Sequence, residues 1–216
     1  MIKGVIFDCD GVLCDTHTIW VAAYRKVARM VGVKRYLSEK FITRGFGDTY
    51  WNVLQSIVGE HKIKKAYPLL MNYINSDEWL EKLKTLPYTE QILTKFKSKG
   101  LKLAVASGNT HKVLQRTVGK VGITKYFDAL VSASEVEKSK PAPDILIKAA
   151  RKLSIPSEHL IYVGDAANDV RAAKSAGIRV ASMLTGALDR NLAESLSPNW
   201  ILNDLSELLP IVEAEI

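Results

Sequence analysis

The N-terminal stretch Met1–Thr16, MIKGVIFDCDGVLCDT, runs an apolar segment, Val5-Ile6-Phe7, straight into two carboxylates one residue apart, Asp8 and Asp10, with a third at Asp15. The apolar run favours a strand, yet Asp is depleted in strands and two acids so close repel each other. A strand that ends this way points to something positive held at its end. Side chains alternate along a strand, so Asp8 and Asp10 are expected on one side with Cys9 turned away. Gly11 then permits a tight turn or the close approach of a ligand.

Working outward, further short apolar runs follow at Leu101–Ala106, Ala129–Val131, Leu160–Val163 and Ile178–Ala181. Beyond residue 85 they alternate with helical periodicity, as in Glu90–Ser98, Lys112–Val121, Pro143–Lys152 and Asn168–Ala176. Such alternation with nearly continuous apolar strands predicts an α/β fold, a doubly wound, Rossmann-like parallel sheet covered on both faces. Gly100, Gly122 and Gly177 stand where helix C-caps would precede the next strand. Residues 16–85 are different. They carry helical patterns at Thr18–Met30, Thr49–Val58 and Lys64–Lys82, and no persuasive strand. The expected division is therefore an α/β core of residues 1–15 and 86–216, with an inserted helical subdomain at 16–85.

The bulk composition narrows the classes. With 216 residues, 47% hydrophobic and 25% charged, the chain can bury a real core and has the balance of an ordinary soluble globule. No stretch approaches about 18 consecutive apolar residues, and the first apolar run enters acids rather than a small-residue cleavage site. No membrane partner and a cytoplasmic location are the expectations. The formal charge of +7 invites a nucleic-acid reading. The basic residues are dispersed, however, in small groups such as Lys62, Lys64, Lys65 and Lys95, Lys97, Lys99, without an aromatic-rich or helix-turn-helix pattern. No nucleic-acid partner is expected, and the excess charge would draw anionic small molecules. Cys9 and Cys14 lack a zinc-type pairing with histidines and read as buried free thiols.

In a doubly wound sheet, ligands bind beyond the carboxyl ends of the strands. Those ends carry Asp8, Asp10 and Gly11; then Ser107, Gly108 and Asn109; then a loop with Lys138, Lys140 and Pro141; then Asp165 and Asp169. Taken singly, each has a plainer role as an N-cap, a turn residue or a solvated charge. Together, four carboxylates at one sheet edge would repel strongly without a cation. Their all-oxygen chemistry fits a hard ion such as Mg²⁺, which pairs naturally with phosphate. A hydroxyl and a lysine supply what a transferring phosphoryl group needs.

The series Asp8-Cys9-Asp10-Gly11-Val12-Leu13, then Ser107, then Lys140-Pro141-Ala142-Pro143-Asp144, then Gly164-Asp165 with Asp169, resembles the four motifs of the haloacid dehalogenase superfamily. The insertion after the first motif resembles its helical cap of the first type, and the likeness is strongest to the phosphoglycolate phosphatase and β-phosphoglucomutase branch. The resemblance implies that Asp8 is a nucleophile forming an aspartyl-phosphate and that Asp10 is the general acid and base. It implies that Ser107 and Lys140 hold the phosphoryl oxygens, with Gly108 and Asn109 beside them. Asp8, the Asp10 carbonyl and Asp165 would bind Mg²⁺, with Asp169 in support. Of the two lysines, Lys140 is favoured because it directly precedes Pro141.

The second acid, Asp10, argues against a dehalogenase, since the family's dehalogenases lack it. Mutases of this branch carry a histidine four residues beyond the Thr that matches Thr16; here that position is Trp20, and His17 follows the Thr directly. The departure favours hydrolysis over transfer back to a sugar. At the second linker Thr89-Glu90 replaces a usual Pro-Gly pair. In the cap, Arg44-Gly45 matches an Arg-Gly pair of the branch and joins His17, Trp20, Tyr24 and Trp51 as candidates for substrate contact. The expected function is a Mg²⁺-dependent phosphatase of small phosphorylated metabolites, phosphoglycolate-like or sugar phosphates, acting as monomer or homodimer. A β-phosphoglucomutase-like mutase and a non-catalytic binding protein on the same scaffold are the alternatives. A phospho-accepting receiver domain is too short for this chain and places its aspartate after a later strand.

Overall fold

The computed structural model describes all residues, 1–216. The first strand, β1 (Gly4–Phe7), is followed by five helices: α1 (His17–Met30), α2 (Glu39–Thr43), α3 (Tyr50–Val58), α4 (Glu60–Ile74) and α5 (Asp77–Leu80). Then come α6 (Thr89–Ser98), β2 (Lys102–Ser107), α7 (His111–Lys120), β3 (Ala129–Ser132), α8 (Asp144–Leu153), β4 (Leu160–Gly164) and α9 (Ala167–Ser175). The chain ends with β5 (Arg179–Met183), α10 (Arg190–Leu196), β6 (Trp200–Leu202) and α11 (Leu208–Glu213).

The strands form one six-stranded sheet in the order β3-β2-β1-β4-β5-β6, and every pairing is parallel. Chain order runs outward in both directions from β1 and its neighbour β4, so the sheet reverses beside the strand that leads into Asp8. A reversal of this kind opens a crevice at the carboxyl end, where ligands bind in open α/β sheets.

Alternation along the strands divides the core into two layers. Val5 and Phe7 face Leu103, Val105, Ile161 and Val163, under Phe96 of α6, Leu114 of α7 and Leu208 of α11. Ile6 faces the other way with Ala104, Ala106 and Tyr162, under Leu146 of α8, Val170 of α9 and Ala193 of α10. Both faces are apolar, which is why these strands lack the apolar–polar alternation of a half-exposed sheet. Gly100, Gly122 and Gly177 each have positive φ just past a helix end, at +78°, +75° and +67°.

Helices α1 to α5 close around a second core of their own, centred on Trp20, Leu54, Ile57, Leu70, Ile74 and Trp79. Ser38, Thr49 and Ser76 accept hydrogen bonds from first-turn amides and so start α2, α3 and α5. The helical pattern read across Lys64–Lys82 is broken at Asn75-Ser76, because Ser76 caps a new helix. The structure also adds α2 and the short strand β6, whose three residues are too few to give a periodic signal.

The two linkers run side by side. Asp15 N donates to Lys84 O and Leu86 N donates to Leu13 O, both at 2.9 Å. Thr89, at the departure from the Pro-Gly pair, is buried, and its Oγ1 donates to Leu13 O at 3.1 Å. Farther out, Asn168 Nδ2 donates to Gly47 O at 2.6 Å, and Arg116 of α7 binds Asn75 O and Asp77. No helix is long and apolar enough to cross a membrane.

Candidate active site

β1 stops at Phe7, and the chain turns through Asp8–Cys14. Asp8 remains tied to the sheet, its N donating to Val163 O at 2.8 Å. Asp8 and Asp10 both line a cavity of about 260 Å³, while Cys9 turns into the core beside Cys14. Gly11 has φ +70°, and a Cβ there would overlap the Asp165 carboxylate. Gly186 makes the same close approach from the loop after β5. Both glycines thus make room for one acid.

Four strand ends converge here. From the loop before α8, Lys140 Nζ donates to Asp8 Oδ2 at 2.8 Å, to Asp169 Oδ1 at 2.7 Å and to the Tyr162 hydroxyl at 3.1 Å. All three ammonium protons are used. The Tyr162 hydroxyl donates in turn to Asp169 Oδ1 at 2.7 Å. Asp169 Oδ2 accepts from the amides of Asp165 and Ala166 at 3.1 and 3.0 Å, closing the first turn of α9. Lys138, the other lysine of that loop, is exposed.

Asp10 is held from two sides. Trp20 Nε1 of α1 donates to its Oδ1 at 3.2 Å, and Asn109 Nδ2 donates to its Oδ2 at 2.7 Å. Asp10 therefore sits at the contact between the helical insertion and the sheet. Its backbone carbonyl accepts no backbone hydrogen bond and is free to ligate. Ser107 is buried at the end of β2, where its Oγ accepts from Asn109 N at 3.2 Å. Gly108 and Asn109 line the cavity.

Electrostatics at the cavity floor are dominated by burial. Desolvation lifts the Asp8 carboxyl to about 7; the Lys140 ammonium opposes this, while Asp169 and Asp10 reinforce it. Asp165 is pushed well above the ordinary carboxylate range by burial, then by Asp169 and Asp8. Lys140 is held well above its usual value by Asp169 and Asp8 despite its burial. One ammonium does not balance three carboxylates.

Carboxylate oxygens of Asp8, Asp165 and Asp169 lie within 4.8 Å of one another. Asp165 Oδ2 has only a long contact, 3.4 Å from Ala187 N. An under-compensated, all-oxygen cluster of this kind fits a hard divalent cation. Asp169 takes four donors, from Lys140, Tyr162 and the amides of Asp165 and Ala166.

Of the candidates in the insertion, Trp20, Tyr24 and Trp51 line the cavity. His17 instead pairs with Glu39 at 3.2 Å and packs edge-on against Phe46. Arg44 is exposed at the end of α2, and Gly45 packs on Val53; His17, Arg44 and Gly45 do not line the cavity. Sequence reasoning missed Tyr162, whose one signal was a phenol in an otherwise aliphatic strand. It also missed Asp48, Tyr50 and Tyr67, which had no motif to mark them.

Residues 5–183 match the family model described as haloacid dehalogenase-like hydrolase. A phosphorylated carbohydrates phosphatase of Thermotoga maritima is 31% identical over 96% of this chain and 100% of its own length. A pyrophosphatase PpaX of Bacillus thuringiensis is 27% identical, over 98% and 96% respectively. The crystal structure of a predicted phosphoglycolate phosphatase from Haemophilus somnus shares the fold, with a TM-score of 0.86, 23% identity and 98% coverage of both chains. The chain belongs to the haloacid dehalogenase-like hydrolases.

Proposed function

We propose that this protein is a Mg²⁺-dependent phosphatase of small phosphorylated metabolites, acting through an aspartyl-phosphate on Asp8. The observation that carries the reading is the Lys140 ammonium bound between Asp8 and Asp169 at the floor of a cavity that also holds Asp10. In this reading residues 1–15 and 86–216 are the catalytic core and residues 16–85 the cap.

Asp8, Asp165 and the Asp10 carbonyl would hold Mg²⁺, which when bound neutralises charge on the phosphoryl oxygens. An Asp8 carboxylate oxygen attacks phosphorus, and the bond from phosphorus to the ester oxygen breaks. Asp10 gives its proton to the departing alcohol. Asp10 then takes a proton from water, whose oxygen attacks phosphorus and breaks the bond to Asp8, releasing phosphate. Trp20 and Asn109 hold Asp10 at the spot where both proton transfers occur. Lys140 and the Ser107–Asn109 turn present donors to the phosphoryl oxygens as charge develops. Trp20 also supports hydrolysis over return of the phosphoryl group, since it stands at the position where the mutases of this branch carry histidine.

The test is phosphate release from a panel of phosphate esters, with and without EDTA, by wild type and Asp8→Asn. The expected result is metal-dependent turnover that vanishes in the variant. Turnover that survives either EDTA or the substitution would overturn the reading.

A further inference from the structure

The cavity has two chemically unlike halves. Its floor is Asp8, Asp10, Asp165 and Lys140. Its walls come from the helical insertion and are aromatic: Trp20, Tyr24, Tyr50, Trp51 and Tyr67, with Asp48 beside them. Lys140 is the sole cationic residue among those lining it, and its ammonium is already shared between Asp8 and Asp169. Four lining carboxylates face that one cation.

A phosphate ester brings two parts to such a site. The phosphoryl group belongs on the floor, so the alcohol meets the aromatic walls. An alcohol bearing a carboxylate, or a second phosphate, would set another negative charge among apolar faces and close to Asp48. An unpaired charge taken out of water is strongly unfavourable. Aromatic faces instead accept the carbon–hydrogen face of a ring. Trp51 is well placed for this, since it is 38% exposed and packs against Tyr67 with ring centroids 5.2 Å apart.

A second observation concerns Tyr50. Its ring lies 4.9 Å from that of Trp20, and its hydroxyl is buried without a hydrogen-bond partner. Buried hydroxyls are nearly always paired, so a ligand hydroxyl is the natural partner here. Size adds a third constraint. About 260 Å³ lies below the roughly 300–1,000 Å³ of pockets that take drug-sized ligands. One ring fits this space better than the base and sugar of a nucleoside.

We propose that the alcohol released here is an uncharged, hydroxyl-bearing molecule of single-ring size, with the chemistry of a monosaccharide. Its ring lies against the aromatic wall, one of its hydroxyls bonds the Tyr50 phenol, and anionic leaving groups are selected against. This rests on the phosphatase reading above and adds to it the substrate class and a specificity-determining residue.

The experiment compares kcat/KM for a hexose phosphate, phosphoglycolate, pyrophosphate, a nucleoside 5′-monophosphate and p-nitrophenyl phosphate, in wild type, Tyr50→Phe and Arg44→Ala. The expected result is a preference for the hexose phosphate over both anionic substrates of at least about tenfold, narrowed about tenfold by Tyr50→Phe. That is the loss expected for one neutral hydrogen bond. Preference for phosphoglycolate or pyrophosphate would overturn the proposal, and its selective loss in Arg44→Ala would name Arg44 as the residue responsible. Preference for the nucleotide, or an equal effect of Tyr50→Phe on every substrate, would also overturn the proposal. If no ester is hydrolysed, p-nitrophenyl phosphate included, the phosphatase reading itself fails. Calorimetric binding to wild type then decides: tighter binding of the hexose phosphate than of phosphoglycolate supports the proposal, and the reverse or equality overturns it.

Discussion

Lys140 Nζ stands 2.8 Å from Asp8 Oδ2 and 2.7 Å from Asp169 Oδ1, partners 132 and 29 positions away in the chain. A single ammonium therefore steadies the proposed nucleophile while a second carboxylate aims it. Asp169 is fixed in turn by the amides at the start of α9. A phosphoryl oxygen arriving at Lys140 must displace one of its three acceptors. Tyr162, the longest contact at 3.1 Å, is the one that yields most readily.

Removing the Asp8 charge should separate function from stability. Asp8→Asn is expected to lower turnover by about 10⁴-fold or more, as when a nucleophile is removed elsewhere. In EDTA at pH 8 the same variant should melt at a higher temperature than wild type, because one of three buried carboxylates becomes neutral. Phosphate release and calorimetric melting check the two halves. A variant that is both inactive and less stable in EDTA would contradict the electrostatic account.

Asp8 also sets a pH dependence. Its folded value of about 7 lies above the unfolded value of about 3.9. Between those values the metal-free folded protein keeps a proton that the unfolded chain has released. Stability is therefore greatest below about pH 4 as far as this group is concerned, and falls as pH rises towards 7. In the proposed mechanism Mg²⁺ would compete with the same proton. The EDTA-treated protein should melt higher at pH 5 than at pH 8, and Mg²⁺ should raise the melting temperature more at pH 8. A larger Mg²⁺ effect at pH 5 would refute this.

Breaking the ion pair from the other side should be costly. Lys140→Met keeps most of the side-chain bulk but leaves Asp8 and Asp169 without their cation. A buried pair broken in this way costs about 3–5 kcal/mol at neutral pH. The loss measured by urea unfolding should shrink at pH 5, where Asp8 takes up a proton instead. Equal losses at both pH values would show that Lys140 acts through packing alone.

Tyr162→Phe tests the residue that no motif marked. The change removes a donor to Asp169 and an acceptor for Lys140, at a cost of about 1–2 kcal/mol in stability. A several-fold drop in kcat with little change in KM is expected if the phenol aligns Lys140. A rise in KM alone would point to substrate contact instead.

Much of this molecule is legible in its sequence. The apolar runs at Val5–Phe7, Leu101–Ala106 and Leu160–Val163 are unambiguous because their strands are buried on both faces and need no polar side. Asp8, Asp10, Lys140, Asp165 and Asp169 could be picked out because each follows a strand, and the crevice lies where strands end. Lys140 could be preferred to Lys138 only by its neighbour Pro141; the structure buries one lysine and exposes the other.

The rest depends on packing between distant segments, which periodicity does not encode. Trp20 reaches Asp10 because α1 lies over the sheet edge, and Tyr162 reaches Lys140 because β4 runs beneath the α8 loop. Arg44 carried the strongest signal in the insertion, yet it lies outside the cavity, while Tyr50, without any signal, lines it with a buried and unpaired hydroxyl. The sequence by itself determined five of the six strands and the order of the acids along the chain, because local composition and alternation suffice for those. Only the tertiary structure decided which side chains meet across the cavity, because that depends on how two separately cored layers of helix and sheet close on each other.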